Sequence, residues 1–449
     1  SAIANARIDD DLEKRPAIDI HKSLIFDGRG GRRMTWPNVK LKDIALIQMG
    51  QSPPGHTYND RGEGLPFFQG KADFGNKHPT VRMWCNSPNR IADSGDILLS
   101  VRAPVGPTNV ADQQCCIGRG LAAIRSLDPE DILPDFIRYV FKWLEPELSR
   151  KGQGSTFTAV NRKDVENIKL PLPPASEQRR IVEILDQADA LRKKRAEADA
   201  KAARILPALF YKMFGDPLAL VASSEGVPLS ELDVDLQNGF ACGEKDVEDG
   251  VPHLRMNNID DAGVLNLELV RTVPVDRDTE RYRLKEKDVL FMGTNSEDKI
   301  GKTCLFMPPD ERAYLFSNHL IRLRVSDSRI TPEYVAGFLH LLWSKRFFPS
   351  IAKRWVNQST VAQSSLAALR IPLPGERSLH MFTTAFQNLL SMRAQRVLAE
   401  EILNQTFAVL LHRAFTGDLT TKWREAHMKE LLQEMEHQAR QLNLRGHEA

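Results

Sequence analysis

No stretch of this chain approaches the roughly 18 consecutive apolar residues a membrane-spanning helix needs, so no span is expected. No charged segment followed by an apolar one opens it, so secretion is not expected either; Ser1 in place of Met implies processing or an expression remnant. Cysteine is scarce: Cys85, Cys115, Cys116, Cys242 and Cys304 form no C-x-x-C pair. An odd, scattered set argues against a zinc ribbon or a disulfide framework and fits reduced thiols in a cytoplasm. An excess of one charge is missing too, with 61 Lys and Arg against 59 Asp and Glu. A nucleic-acid binder with this balance needs local basic patches, or phosphate contacts made by partner subunits.

Catalytic signatures are also absent. The proline pairs at 53–54, 173–174 and 308–309 are each followed by a non-aromatic residue, so no N-P-P-Y or D-P-P-Y tetrad of an adenine methyltransferase exists. Phe26-x-Gly28-x-Gly30 spells a cofactor-loop motif, but Arg32-Arg33 and a proline-containing loop follow where a helix should start. Gly301-Lys302-Thr303 lacks the upstream glycine of a phosphate-binding loop, Ser296 standing there instead, and reads as a DNA-facing loop or a tight turn. His56, His78, His253 and His319 show no metal-ligand spacing, and no D…E-x-K cluster accompanies Asp288.

What the chain does contain is a repeat. Ile168-Lys169-Leu170-Pro171-Leu172-Pro173 is answered by Leu369-Arg370-Ile371-Pro372-Leu373-Pro374, Pro372 lying 201 residues beyond Pro171. Such self-similarity governs the reading of the fold. At 449 residues, two to four domains are expected. Residues 1–34 read as a polar N-terminal extension, most simply a flexible tail. Residues 35–174 form a first globular unit whose short apolar runs between Gly and Pro favour strands, with one helix from Pro134 to Leu148. A helix occupies 175–216, with Ile181, Ile184, Ala188, Leu191, Arg195, Ala198, Ala202, Ile205 and Leu209 as a heptad seam, Pro207 as a kink and Gly215-Asp216-Pro217 as its stop. Arg195 in that seam calls for an acid on a facing helix. A linker, 217–226, leads to a second globular unit at 227–374. A second helix at 375–418 carries Phe382, Phe386, Leu389, Leu390, Val397, Leu398, Ile402, Leu403, Leu410 and Leu411, and a charged tail fills 419–449. The fold class expected is α+β: two tandem globular domains separated by two long helices that form an antiparallel coiled coil.

The units also share internal segments. Gly95-Asp96-Ile97-Leu98-Leu99-Ser100-Val101-Arg102-Ala103-Pro104-Val105-Gly106 answers to Lys287-Asp288-Val289-Leu290-Phe291-Met292-Gly293, continuing to Ile300-Gly301-Lys302. Phe67 to Asp73 answers to Pro252 to Ile259, and Gly154-Ser155-Thr156 to Gln358-Ser359-Thr360. With the L-P-L-P-P-x-x-E-Q-R-R-I run, the Gly-Asp ends of both helices and Thr416 to Thr420 followed by Trp423-Arg424-Glu425, residues 35–426 resemble the specificity subunit of type I restriction–modification systems. Gly375-Glu376-Arg377 departs from the first exit's sequence, and residues 1–34 have no counterpart.

The resemblance implies that each globular unit is a target-recognition domain reading one half of a bipartite double-stranded DNA site. It implies that the helices set the gap and dock two modification subunits, with restriction subunits joining to cleave. It also implies that this chain is not an enzyme and binds no cofactor, S-adenosylmethionine belonging to the modification subunit. Base edges are read by Arg or Lys on guanine and Asn or Gln on adenine, each correct contact worth about 1–3 kcal/mol. The candidate readers are Gln69, Lys71, Arg102, Lys151, Gln153 and Ser155 in the first unit. In the second they are Arg255, Asn257, Asn258, Asn295, Lys299, Lys302, Asn357 and Gln358, with Lys353, Arg354 and Arg150 suited to phosphate. Taken singly, each is as well read as a solvated surface residue. Two alternatives stand beside this reading: a fused modification–recognition enzyme, and a coiled-coil adaptor that never touches DNA.

Overall fold

The computed structural model describes residues 24–26, 32–34, 36–151, 159–223, 225–243, 246–274, 279–356 and 358–445. The chain forms two compact units. Unit 1 combines Ser1–Lys193 with Glu401–Ala449, and unit 2 is Lys194–Glu400. Each long helix is therefore divided between units, rather than standing as a separate segment between two heads.

The strands that organise unit 1 are β1 (Ala45–Met49), β2 (Leu65–Phe68), β3 (Ile97–Ser100), β4 (Thr108–Val110), β5 (Cys115–Ile117) and β6 (Leu121–Ser126). Those of unit 2 are β7 (Val234–Asn238), β8 (Val251–Leu254), β9 (Val289–Met292), β10 (Thr303–Leu305), β11 (Leu315–Phe316) and β12 (Leu320–Val325). The central antiparallel sheet runs β4-β3-β6-β1 in unit 1 and β10-β9-β12-β7 in unit 2. A smaller sheet is built on a parallel pair in each, Phe67 beside Cys116 and His253 beside Leu315. The central sheet's topology is thus used twice, strand for strand, while the smaller sheet has five strands in unit 1 and three in unit 2.

The repeated Asp is the deepest point of the correspondence. Asp96, one residue before β3, is buried and takes two hydrogen bonds from Arg125 of β6, at 2.7 and 2.8 Å. Asp288, one residue before β9, takes two from Arg324 of β12, at 2.8 and 2.7 Å. Each Asp also accepts a backbone N–H from three residues upstream, Asp93 or Lys285, at 2.8 Å. A buried carboxylate needs this many donors, and two copies of the same solution mark the units as one fold. The Pro-x-Pro exits match as well: Lys169–Pro171 pairs with Asn38–Lys40, and Arg370–Ile371 with Val227–Pro228.

The principal helices are α1 (Pro134–Lys151), α2 (Ala175–Ala202), α3 (Ile205–Phe214), α4 (Pro332–Ser344), α5 (Glu376–Phe415) and α6 (Met428–Arg445). At 1.5 Å per residue α2 spans about 42 Å and α5 about 60 Å. The break between α2 and α3 lies just before Pro207, which has no N–H for the helix ladder, and Gly215 at φ +93° closes α3. The stretch expected to be a plain linker holds a one-and-a-half-turn helix, Pro217–Ala222, capped by Asp216.

The heptad seam is corrected. Ile181, Leu185 and Asp189 are buried, whereas Leu191 and Ile205 are about half exposed and Ala198 is exposed. The buried face follows steps of four because α2 packs on the globular part of unit 1, where Tyr139 donates to Asp186 and Gln178 bonds the Asp131 carbonyl. Arg195 pairs with Asp199 of its own helix at 3.3 Å, and Asp199 is also held by Arg396 of α5. On α5, Phe382, Phe386 and Leu411 are buried as expected, but Val397, Leu398 and Ile402 are exposed.

Unit 1 gathers Trp36, the start of α2 and the segment after α5 around one carboxylate. Glu177 is fully buried and accepts hydrogen bonds from Trp36 Nε1 (2.8 Å), Thr420 Oγ1 (2.6 Å) and Arg424 Nε (2.8 Å). The charged tail is helical over Thr421–Ala426 and Met428–Arg445, and Glu434 of α6 accepts from the Ser176 N–H at the N-terminus of α2, where a carboxylate is favoured. Leu24–Phe26 pairs antiparallel with Arg32–Met34; Gly28 and Gly30 of the cofactor-like motif lie outside the described residues. No helix among the described residues is long and apolar enough to cross a membrane.

Candidate nucleic-acid interface

In both units part of the candidate set sits on the loops after the second and third strands: Gln69, Lys71 and Arg102 in unit 1, and Arg255, Asn257, Asn258, Asn295, Lys299 and Lys302 in unit 2. In unit 1 the loop after β2 exposes Gln69 and Lys71, and a single turn, Lys71–Asp73, is fixed by the Gln69 N–H donating to Asp73 at 2.7 Å. Arg102, in the loop after β3, is exposed. Gly120 lies between the two loops: its carbonyl accepts from Val101 N–H at 2.9 Å, and the Gln69 backbone leaves no room for a Cβ on it. Gln69 and Arg102 therefore flank one backbone. Gln153, Ser155 and the side chain of Lys151 lie outside the described residues.

Unit 2 repeats the plan with different chemistry. The loop after β8 carries half-buried Arg255 and exposed Asn257, whose Nδ2 donates to the Leu269 carbonyl at 2.9 Å. Asn258 is 1% exposed. Its Oδ1 accepts from Arg255 N–H and its Nδ2 donates to the Asn266 and Leu269 carbonyls, so it holds the loop and is not presented to a base edge. Lys302 is likewise taken out of the surface: it is 6% exposed, paired with Asp261 and 5.5 Å over the Trp343 ring. Gly301, at φ +91°, ends a turn, and Lys302 leads from it into β10 at Thr303.

The loop after β9 is organised by a three-stranded ribbon, Thr294–Asn295 with Ser359–Thr360 and Lys353–Arg354. It brings Asn295, Lys353, Arg354 and exposed Gln358 together. Asn295 is partly committed, its Oδ1 accepting from Ser296 N–H at 2.7 Å. Arg354 reaches Glu297 at 3.0 Å, and Lys299 is exposed. Asn357 lies outside the described residues. Arg150 of α1 is exposed.

Beside Arg255 lies an open cleft of about 820 Å³, lined in part by His253, Asn257, Arg271, Ser317 and His319. His253 and Ser317 are more than nine-tenths buried, and His253 Nε2 and Ser317 Oγ have no hydrogen-bond partner. Burial, then the Arg255 charge, lowers the pKa of both His253 and His319, which favours neutral rings. His319 occupies the place of Gly120, its carbonyl accepting from Gly293 N–H as Gly120 accepts from Val101. The sequence showed no metal-ligand spacing for these histidines; His253 lies in the segment Pro252 to Ile259 matched to Phe67 to Asp73, which was the available signal, whereas His319 lies in no matched segment. Among the described residues no cluster of His, Cys, Asp or Glu could hold a metal.

Comparison with known proteins agrees with this architecture. The family model for the type I restriction modification DNA specificity domain matches residues 34–199. A relative from Methanocaldococcus jannaschii, named for the MjaX type I restriction enzyme specificity subunit, is 44% identical over 173 residues, 38% of this chain and 40% of that protein. The chain thus spans about two fifths of the length of that relative. The StySPI type I restriction enzyme specificity subunit of Salmonella potsdam is 22% identical over 69% of this chain and 70% of its own. The crystal structure of the type I restriction-modification S subunit from M. genitalium shares the fold, with a TM-score of 0.52 at 15% identity over 88% of this chain and 98% of that one. Residues 34–199 thus match the type I restriction modification DNA specificity domain, and the chain shares the fold of a solved type I S subunit.

Proposed function

We propose that this chain is the non-catalytic DNA-recognition subunit of a type I restriction–modification complex, and that each unit reads one half of a bipartite site. The observation that carries this reading is one sheet topology used twice, down to the Asp96–Arg125 and Asp288–Arg324 pairs, with different polar side chains on equivalent loops. One fold with two loop chemistries suits two different short sequences. The readers in unit 1 are Gln69, Lys71 and Arg102, and those in unit 2 are Arg255, Asn257, Asn295, Lys299 and Gln358. Arg150, Lys353 and Arg354 contact phosphate, which positions without specifying.

The long helices set the gap between half-sites as an antiparallel pair and dock two modification subunits, which bind S-adenosylmethionine; restriction subunits join to cleave. Exposed apolar side chains support the docking role: Leu191, Ile402 and Val409 in unit 1, and Met392, Val397 and Leu398 in unit 2. With a net charge of +2, phosphate contacts come largely from the assembled complex. The test is a mobility shift of a methylation-site duplex, with and without the modification subunit. Tight binding by the complex and weak binding by the chain alone are expected; failure of the complex to bind overturns the reading.

A further inference from the structure

The ribbon that carries Asn295 ends in a hairpin that bares two large apolar side chains. Trp355 is 56% exposed and Val356 99% exposed. The turn is closed by the Trp355 N–H donating to the Gln358 carbonyl at 2.8 Å, so the tip is held on paired strands. Lys353 Nζ stands 4.5 Å over the Trp355 ring, and Arg354 is held by Glu297. A large indole kept in water, with a cation on its face and a second beside it, is not explained by the core of unit 2, which neither apolar residue joins. Aromatic surfaces interleaved with cations stack on bases, and apolar tips inserted between base steps unstack and bend a duplex.

We propose that Trp355 and Val356 form a wedge that enters the duplex beside the half-site read by unit 2, with Lys353 and Arg354 on the flanking phosphates. The proposal rests on the DNA-recognition reading and adds a mode of contact to it. The ribbon joins the wedge directly to the loop bearing Asn295, so insertion of the tip fixes where that loop meets base edges. Glu297, the acid paired with Arg354, is exchanged for a phosphate on binding. A docking role for the tip toward another subunit is disfavoured by the paired cations at its base, which suit a polyanion.

The test uses the full chain with its modification subunit and a duplex carrying the methylated site, with 2-aminopurine placed at each position of both halves in turn. The wild-type complex is expected to raise 2-aminopurine fluorescence at one step beside one half-site only. W355A and V356A are expected to abolish that rise. W355A is expected to bind about 5- to 150-fold more weakly, the worth of one base–aromatic stack, with an unchanged salt dependence. K353A and R354A are expected to lower the salt slope by about 0.9 each. Both tip residues are exposed, so the melting temperature of each variant is expected to match wild type. Wild-type affinity and no fluorescence change at any position, in a complex that binds its site, overturns the wedge alone. Loss of the modification subunit from W355A without DNA assigns the tip to protein docking and also overturns it. A wild-type complex that binds no DNA removes the recognition reading and the wedge together.

Discussion

Replacing Arg424 by Met tests how the segment after α5 is joined to unit 1. The Glu177 and Arg424 side chains are 0% and 6% exposed, at 2.8 Å. Removing one partner of a buried pair generally costs about 3–5 kcal/mol, because the other charge is left without compensation. Here Trp36 Nε1–H and Thr420 Oγ–H still serve the carboxylate, which places the loss near about 3 kcal/mol. Arg424 also donates to the Gly417 carbonyl at 2.8 Å and lies 4.7 Å over the Trp36 ring, and Met replaces neither contact. For a unit of this size, 1 kcal/mol moves the melting temperature by roughly 2–4 °C, so the unit 1 transition is expected to fall by about 6–12 °C in scanning calorimetry. E177L/R424M, with the charges removed together, is expected to lose less than the two single changes summed. A transition within about 2 °C of wild type for Arg424→Met would refute the reasoning, since such a shift is what exposed ion pairs give.

Other consequences can be measured separately. Arg255→Ala is expected to weaken binding of the assembled complex by about 1–3 kcal/mol and to relax one half of the methylated motif. Lys302→Ala is expected to lower the stability of unit 2 and leave the motif intact; a motif changed by Lys302→Ala would return that residue to the surface set. His340 lies in unit 2 with Nδ1 buried and without a partner, and burial lowers its pKa from the ordinary 6.5 to about 4. The folded state resists protonation there while the unfolded chain does not, so the contribution is complete above pH 6.5 and fades as pH falls toward 4, by an amount on the order of 3 kcal/mol. Denaturation of H340F from pH 7 to 4 is expected to show a shallower loss than wild type; parallel curves would contradict this.

The repeat was legible because β-strands covered on both faces are written as short apolar runs, and Asp96-Ile97 and Asp288-Val289 open such runs at matched places. The exits were legible because proline restricts the backbone to few conformations. The helix seam was misread. A heptad assumes that a helix's only neighbour is another helix, whereas α2 buries Leu185 and Asp189 against the globular part of unit 1. The candidate readers were legible as loop positions, but which of their side chains are exposed was not. Asn257 and Asn258 are adjacent and chemically identical, yet one is exposed and the other is consumed by three backbone bonds, a difference decided by the fold of 258–269. Lys302 was misassigned for the same reason, since Asp261 lies 41 residues away in sequence. Trp355 carried a signal that was passed over, an aromatic between Arg354 and Asn357.

The central claim is that two copies of one fold each inspect their own short sequence. The most direct test exchanges residues 227–374 for the corresponding segment of another specificity subunit and sequences the methylome of cells carrying the chimera with the modification subunit. The account predicts a split motif in which one half is replaced, and the other half remains as in wild type. A motif changed in both halves, unchanged in both, or continuous without a gap would contradict it.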